Sequence, residues 1–175
     1  MMTALGVVRE KEIGSIMNLY GSPASSAQFL LGKQLPYLIL SFISYLLMVW
    51  VAIIVFDVPI KGSVWAMFFG AMLAIQASTS FGLLVSSFVK SQIAAIFATA
   101  IISMVPTMNF SGMIYPTSSL PPNSIVIAHI FPGYWLQLIS LGGFTKGLGF
   151  FDFIENYTAL LLIYAVYMTG AIFLL

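Results

Sequence analysis

From Gln34 to Phe56 the chain runs for 23 residues without a charge. At 1.5 Å per residue that is about 34 Å of helix, enough to cross a hydrocarbon core of about 30 Å. Pro36 falls in its first turn, where a missing N–H costs little. Three more runs share this character: Val64 to Val89, Ile93 to Met113 and Asn156 to Leu175. The third contains Pro106, which should bend or loosen it. Hydrophobic residues make up 61% of the sequence and charged ones 6%, whereas a soluble domain is about 25% charged. No water-soluble core of 175 residues absorbs such an excess. The predicted class is an all-α integral membrane protein with four transmembrane helices.

Residues 114–155 differ. Pro116, Pro121 and Pro122 break any continuous helix, and "IVIAHIFPGYWLQLISLGG" is interrupted again at Pro132-Gly133. Two short apolar pieces joined by Pro-Gly suit an extracytoplasmic loop with a re-entrant or interfacial hairpin before the last span. By the Lys and Arg count, Arg9, Lys11, Lys33 and Lys90 would lie inside and Lys61 and Lys146 outside. Residues 1–8 read as the end of an upstream transmembrane helix, and the apolar "GAIFLL" closes the sequence without a polar flank. The expectation is a fragment of a longer chain.

Arg9, Glu10, Lys11 and Glu12 are consecutive in a chain with six basic and five acidic residues. Behind them Ile13, Ile16, Met17 and Tyr20 fall at i, i+3, i+4 and i+7, one apolar stripe. Gly21 is placed to end a helix, and Ser22-Pro23 to start the next. The 9–33 segment therefore reads as amphipathic and interfacial. A lipid anchor alone would be basic; alternating signs suit a protein partner, whose register they fix.

Several stretches carry a resemblance: "REKEIGSI", "GSPASSAQFLLGKQLPY", "VPIKGS", "SGMIYPTSSLPP" and the later "FP" with "GFTKG". In this order and spacing the sequence resembles ABC-2-type exporter permeases, from the end of their second span onward. The resemblance implies that Arg9 to Tyr20 is a cytoplasmic coupling helix. It implies a separate ATP-binding cassette subunit as partner, ATP and Mg on that subunit with no cofactor in this chain, and a second permease copy or paralogue. A bacterial cytoplasmic (inner) membrane is the implied location. The stretch "FPGYWLQLISLGGFTKG" departs from the family by lacking an Arg before "GFTKG".

The residues themselves exclude other chemistries. No phosphate-cradling G-x-x-x-x-G-K-[ST] occurs. Asp57 and Asp152 fall in loops, His129 is the only histidine and there is no cysteine, so neither a catalytic nor a metal site is predicted. A net charge of +1 makes no case for nucleic acid. The four spans hold no ionisable side chain, unlike most proton-coupled carriers. The alternatives remain a secondary transporter or channel, or a non-transporting membrane scaffold. A pathway would use uncharged groups such as Gln76, Asn109 and Tyr115, which can equally serve helix–helix hydrogen bonding. In the second span Ala66, Gly70, Ala74, Ser78, Gly82 and Ser86 recur every four residues, a packing face for a close neighbour. Leu73 and Leu84 lie off that face.

Overall fold

The computed structural model describes residues 1–14, 25–114, 119 and 121–174, and among them it is helical with no strand. The helices are α1 (Met2–Ile13), α2 (Ser26–Ile54), α3 (Val64–Phe88), α4 (Gln92–Thr99), α5 (Val105–Phe110), α6 (Pro122–Ile130), α7 (Pro132–Leu141) and α8 (Ile154–Leu174). Among the described residues, four helical stretches are long and apolar enough to cross a membrane: α2, α3, the continuous run Gln92–Phe110, and Phe151–Leu174.

Serine hydroxyls start three of these. Ser25 Oγ accepts from Gln28 N while the Gln28 side chain accepts from Ser25 N, a reciprocal capping box. Ser63 Oγ accepts from Ala66 N and Ser91 Oγ from Ala94 N, each at 3.3 Å. The box at Ser25 explains a difference from the sequence reading. The helix begins at Ser26 rather than Gln34, carries Lys33 within it, and holds Pro36 in its interior instead of its first turn. Its 29 residues make about 44 Å of helix, so its first turns project beyond a hydrocarbon core of about 30 Å. The predicted cap-and-proline pair Ser22-Pro23 and the helix end at Gly21 lie outside the described residues.

Pro106 acts one turn earlier than its own position. Residues Ala100–Met104 form a π-helical turn between α4 and α5. Proline supplies no N–H, and its ring crowds the carbonyl four residues back, Ile102, so the helix widens there. After α5, α6 and α7 meet at Phe131 with a bend of 94°. Trp135 Nε1 donates to His129 O at 3.0 Å, and the His129, Tyr134 and Trp135 rings lie 4.7 to 5.2 Å apart. His129 Nδ1 lies 2.6 Å from Ile125 O, one turn back. These contacts hold the elbow, and they occupy His129 structurally.

The centre is α3. Of its most apolar stretch 56% is buried, against 6% for α2, 11% for Gln92–Phe110 and 28% for the last span. Two clusters form around it. Leu73, Ala74 and Ala77 meet Ile139 of α7 and Tyr157 and Leu160 of α8. Leu83 meets Val7, Leu30, Met168 and Ala171. Tyr157 OH donates to Ala66 O at 3.2 Å, so the bulky ring reaches α3 backbone where the side chain is small. Five of the six residues spaced by four are buried, Ser78 excepted. Gly70 faces Ile139 and Tyr157, and Gly82 faces Thr3. Leu73, however, is 7% exposed and belongs to the core. It packs with Ile139, Tyr157 and Leu160, while the open side of α3 falls at Trp65, Phe69 and Met72.

The ends sort as the Lys and Arg count groups them. The Arg9–Glu12 run, Lys33 and the turn at Lys90 gather at one end through Glu10–Lys33, Lys11–Ser86 and Glu12–Gln92. At the other end Gly62 N donates to Gly143 O at 2.8 Å and Ser63 N to Leu148 O at 3.1 Å. That pairing docks "VPIKGS" onto "GGFTKGL" and brings Lys61 beside Gly147.

Candidate functional site

The charge run belongs to α1 itself. Val7 and Val8, just before it, are fully buried, and the helix continues through Arg9–Ile13 without a break. Gly14, at φ 78° and ψ 0°, then ends it with its N–H on Lys11 O. The end of the apolar helix and the charged entry are thus one element.

Three of the four charges are engaged inside the protein. Lys11 Nζ donates to Ser86 O at 2.8 Å and Ser87 O at 3.4 Å, in the last turn of α3. Those carbonyls have no helical partner and sit at the negative end of the helix dipole. Glu12 stands at the opposite kind of terminus. Gln92 N, the first residue of α4, donates to one carboxylate oxygen at 2.8 Å, and Gln92 Nε2 donates to the other. The Gln92 amide, and after it the backbone N–H, hold the Glu12 carboxyl below its ordinary value. Glu10 pairs with Lys33 of α2. Arg9 is exposed. Ile13, the first residue of the predicted apolar stripe, is 67% exposed, so the bundle does not cover it. Ile16, Met17 and Tyr20 lie outside the described residues.

A layer deeper, Gln34 is 1% exposed. Its Nε2 donates toward Thr79 Oγ1 at 2.8 Å, Ser80 Oγ at 3.0 Å and Gln76 O at 3.1 Å. Thr3 Oγ1 donates to Thr79 O at 3.1 Å, tying α1 into the same cluster. Polar groups here join three helices without a charge. Gln34 escapes sequence reading because it stands at a span's apparent edge, next to Lys33. Its signal was the polar stretch from Gln76 to Ser80 in the middle of the second span.

Of the predicted pathway residues, Gln76 gives its backbone carbonyl to the Gln34 cluster, Asn109 Nδ2 donates to Val105 O in its own helix at 2.8 Å, and Tyr115 lies outside the described residues. A cavity of about 340 Å³ instead brings together Ser78, Thr99, Ser103 and Thr107 with Phe81 and Phe131. Thr99, Ser103 and Thr107 are spaced by four, the same arithmetic that marks the small residues of α3, and Thr99 and Thr107 flank the π-helical turn.

Comparison with known proteins agrees with this architecture. Over 147 residues, 82% of its length, the chain is 29% identical to the "Probable multidrug ABC transporter permease YbhS" of Escherichia coli. It is 30% identical over 121 residues to YbhR, named likewise, and 27% identical over 131 residues to "ABC transporter G family member 20" of Dictyostelium discoideum. It spans only 39% of YbhS, 33% of YbhR and 18% of the Dictyostelium protein. Residues 1–173 match the family described as ABC-2 family transporter protein, and the chain belongs to that family.

Proposed function

We propose that this chain is part of the membrane subunit of an ATP-driven exporter, with hydrolysis performed by a separate ATP-binding subunit. Ile13 supports a docking role most directly. It is a large apolar residue left 67% exposed where α1 ends at Gly14, beyond a charged turn that should face water. An unpartnered apolar side chain there suits a protein surface, and the sequence continues the stripe through Ile16, Met17 and Tyr20. Glu10 and Glu12 are engaged with Lys33 and Gln92, so the docking contact falls to Arg9, Ile13 and the stripe beyond. The cargo we propose is amphipathic and uncharged or weakly charged. The uncharged runs 34–56, 64–89, 93–113 and 156–175 hold no Asp, Glu, Lys, Arg or His, and the 340 Å³ cavity offers hydroxyls and aromatic rings.

The experiment is co-purification of the full-length permease with its candidate ATPase, followed by dye efflux from proteoliposomes. ATP-dependent export, with Ile13→Asp losing the ATPase, is the expected result. Transport that continues without ATP and collapses with the proton gradient would identify a secondary transporter instead.

A further inference from the structure

The charged end of α1 holds two other helices as well as its own. Lys11 grips the carbonyl end of α3 at Ser86 and Ser87, and Glu12 grips the amide end of α4 at Gln92. The two termini lie on either side of the short turn Val89–Ser91. Each contact has the favourable sign, a cation on C=O groups and an anion on N–H groups. A second, independent feature lies beneath them: Ala4 and Val8 of α1 and Ala95 of α4 are fully buried against one another, with Val89 of the turn packed on them. Helix α2 reaches this end of α1 through Leu30, buried in one cluster with Val7, and through Glu10–Lys33, whose side chains stay about one-third exposed.

We propose that the end of α1, the end of α3 and the start of α4 move as one rigid unit, in which Lys11 and Glu12 are positioning residues. The inference rests on the docking reading above. A displacement of the chain beyond Gly14 by a bound ATPase is delivered through Glu12 to α4, and along α4 to the widened turn at Ala100–Met104. Neither residue touches the 340 Å³ cavity; they act on it through α4, whose Thr99 lines it.

Two arms of one experiment test this in the full-length permease, with any other cysteine replaced. In the first, Glu12→Cys and Gln92→Cys are joined by a short bis-thiol reagent in proteoliposomes containing the ATPase. Locking should raise transport toward the native rate, the unlocked pair being slowed by loss of the Glu12 carboxylate; arrest on locking, with the ATPase still bound, would show that the ends separate and would overturn the unit. The single variant Glu12→Ala should lower transport about fivefold or more, the lower end of common coupling strengths, with ATPase binding and basal hydrolysis retained. Unchanged transport in that variant would overturn the role of Glu12. In the second arm, spin labels at the exposed positions Arg9 and Lys90 report their separation with and without substrate, no ATPase being needed. A constant distance is expected, and a shift overturns rigidity. Failure of the unmodified permease to bind the ATPase would overturn the docking reading, and with it the delivery step, while the labels still judge the unit.

Discussion

Glycine marks where backbones touch at the Lys61 end. A Cβ at Gly62 would lie 2.6 Å from Leu148 O and 3.1 Å from Leu148 N, backbone atoms that cannot rotate away. Gly62→Ala should therefore lower stability by about 1–3 kcal/mol, the usual range for overpacking. Gly32→Ala, in open space on α2, should be neutral or raise stability by about 0.5–1 kcal/mol through helix propensity. Thermal midpoints in detergent separate the two, and equal midpoints would mean that the two loops do not dock. Glu12 carries a pH dependence. Its carboxyl is lowered in the folded protein, so the folded state binds fewer protons than the unfolded one near the ordinary value of 4.5. The contribution is complete above that value and is lost as the pH falls through the lowered one. Midpoints measured from pH about 7 to about 3 should fall more steeply for the native protein than for Glu12→Gln, and parallel curves would remove Glu12 from the acid response.

Between α2 and α3 a buried amide replaces part of the apolar seam. Gln34→Leu keeps much of the volume and removes its bonds to Thr79, Ser80 and Gln76 O. Interhelical hydrogen bonds in membranes average about 0.6 kcal/mol and reach about 1.7. The expected loss is in that range, read from unfolding in mixed micelles, and a rise in stability would show the amide to be retained for another reason. Along α3 the stripe of small residues was legible from spacing alone, because four residues nearly complete a helical turn. The place of Leu73 was not. Periodicity marks which residues share a face but not how far its neighbours reach, and α7 and α8 cover α3 as far as Leu73 while Trp65, Phe69 and Met72 stay exposed.

Across the bundle, the bend of 94° at Phe131 decides how many times the chain crosses the membrane. If α6 and α7 dip and return, Asn123→Cys and Thr145→Cys, both exposed, should label with an impermeant reagent from the same side of intact cells. Ser91→Cys, at the other end of the bundle, should label only once the membrane is opened. Labelling of Asn123→Cys and Thr145→Cys from opposite sides would make the bent pair a crossing. The grouping of Arg9, Lys11, Lys33 and Lys90 away from Lys61 and Lys146 was readable from the order of spans, since each crossing reverses the side. The long apolar spans were set by the sequence itself, because lipid imposes a length and an uncharged composition that no partner contact can alter. The destinations of Glu10, Lys11 and Glu12 were not. Four adjacent alternating charges look alike whether they face a foreign protein or their own fold. Only the approach of Lys33, Ser86 and Gln92, between 23 and 80 residues away in sequence, converts them into internal contacts, because a charge near a helix terminus is stabilised by whichever exposed amides or carbonyls the tertiary packing brings to it.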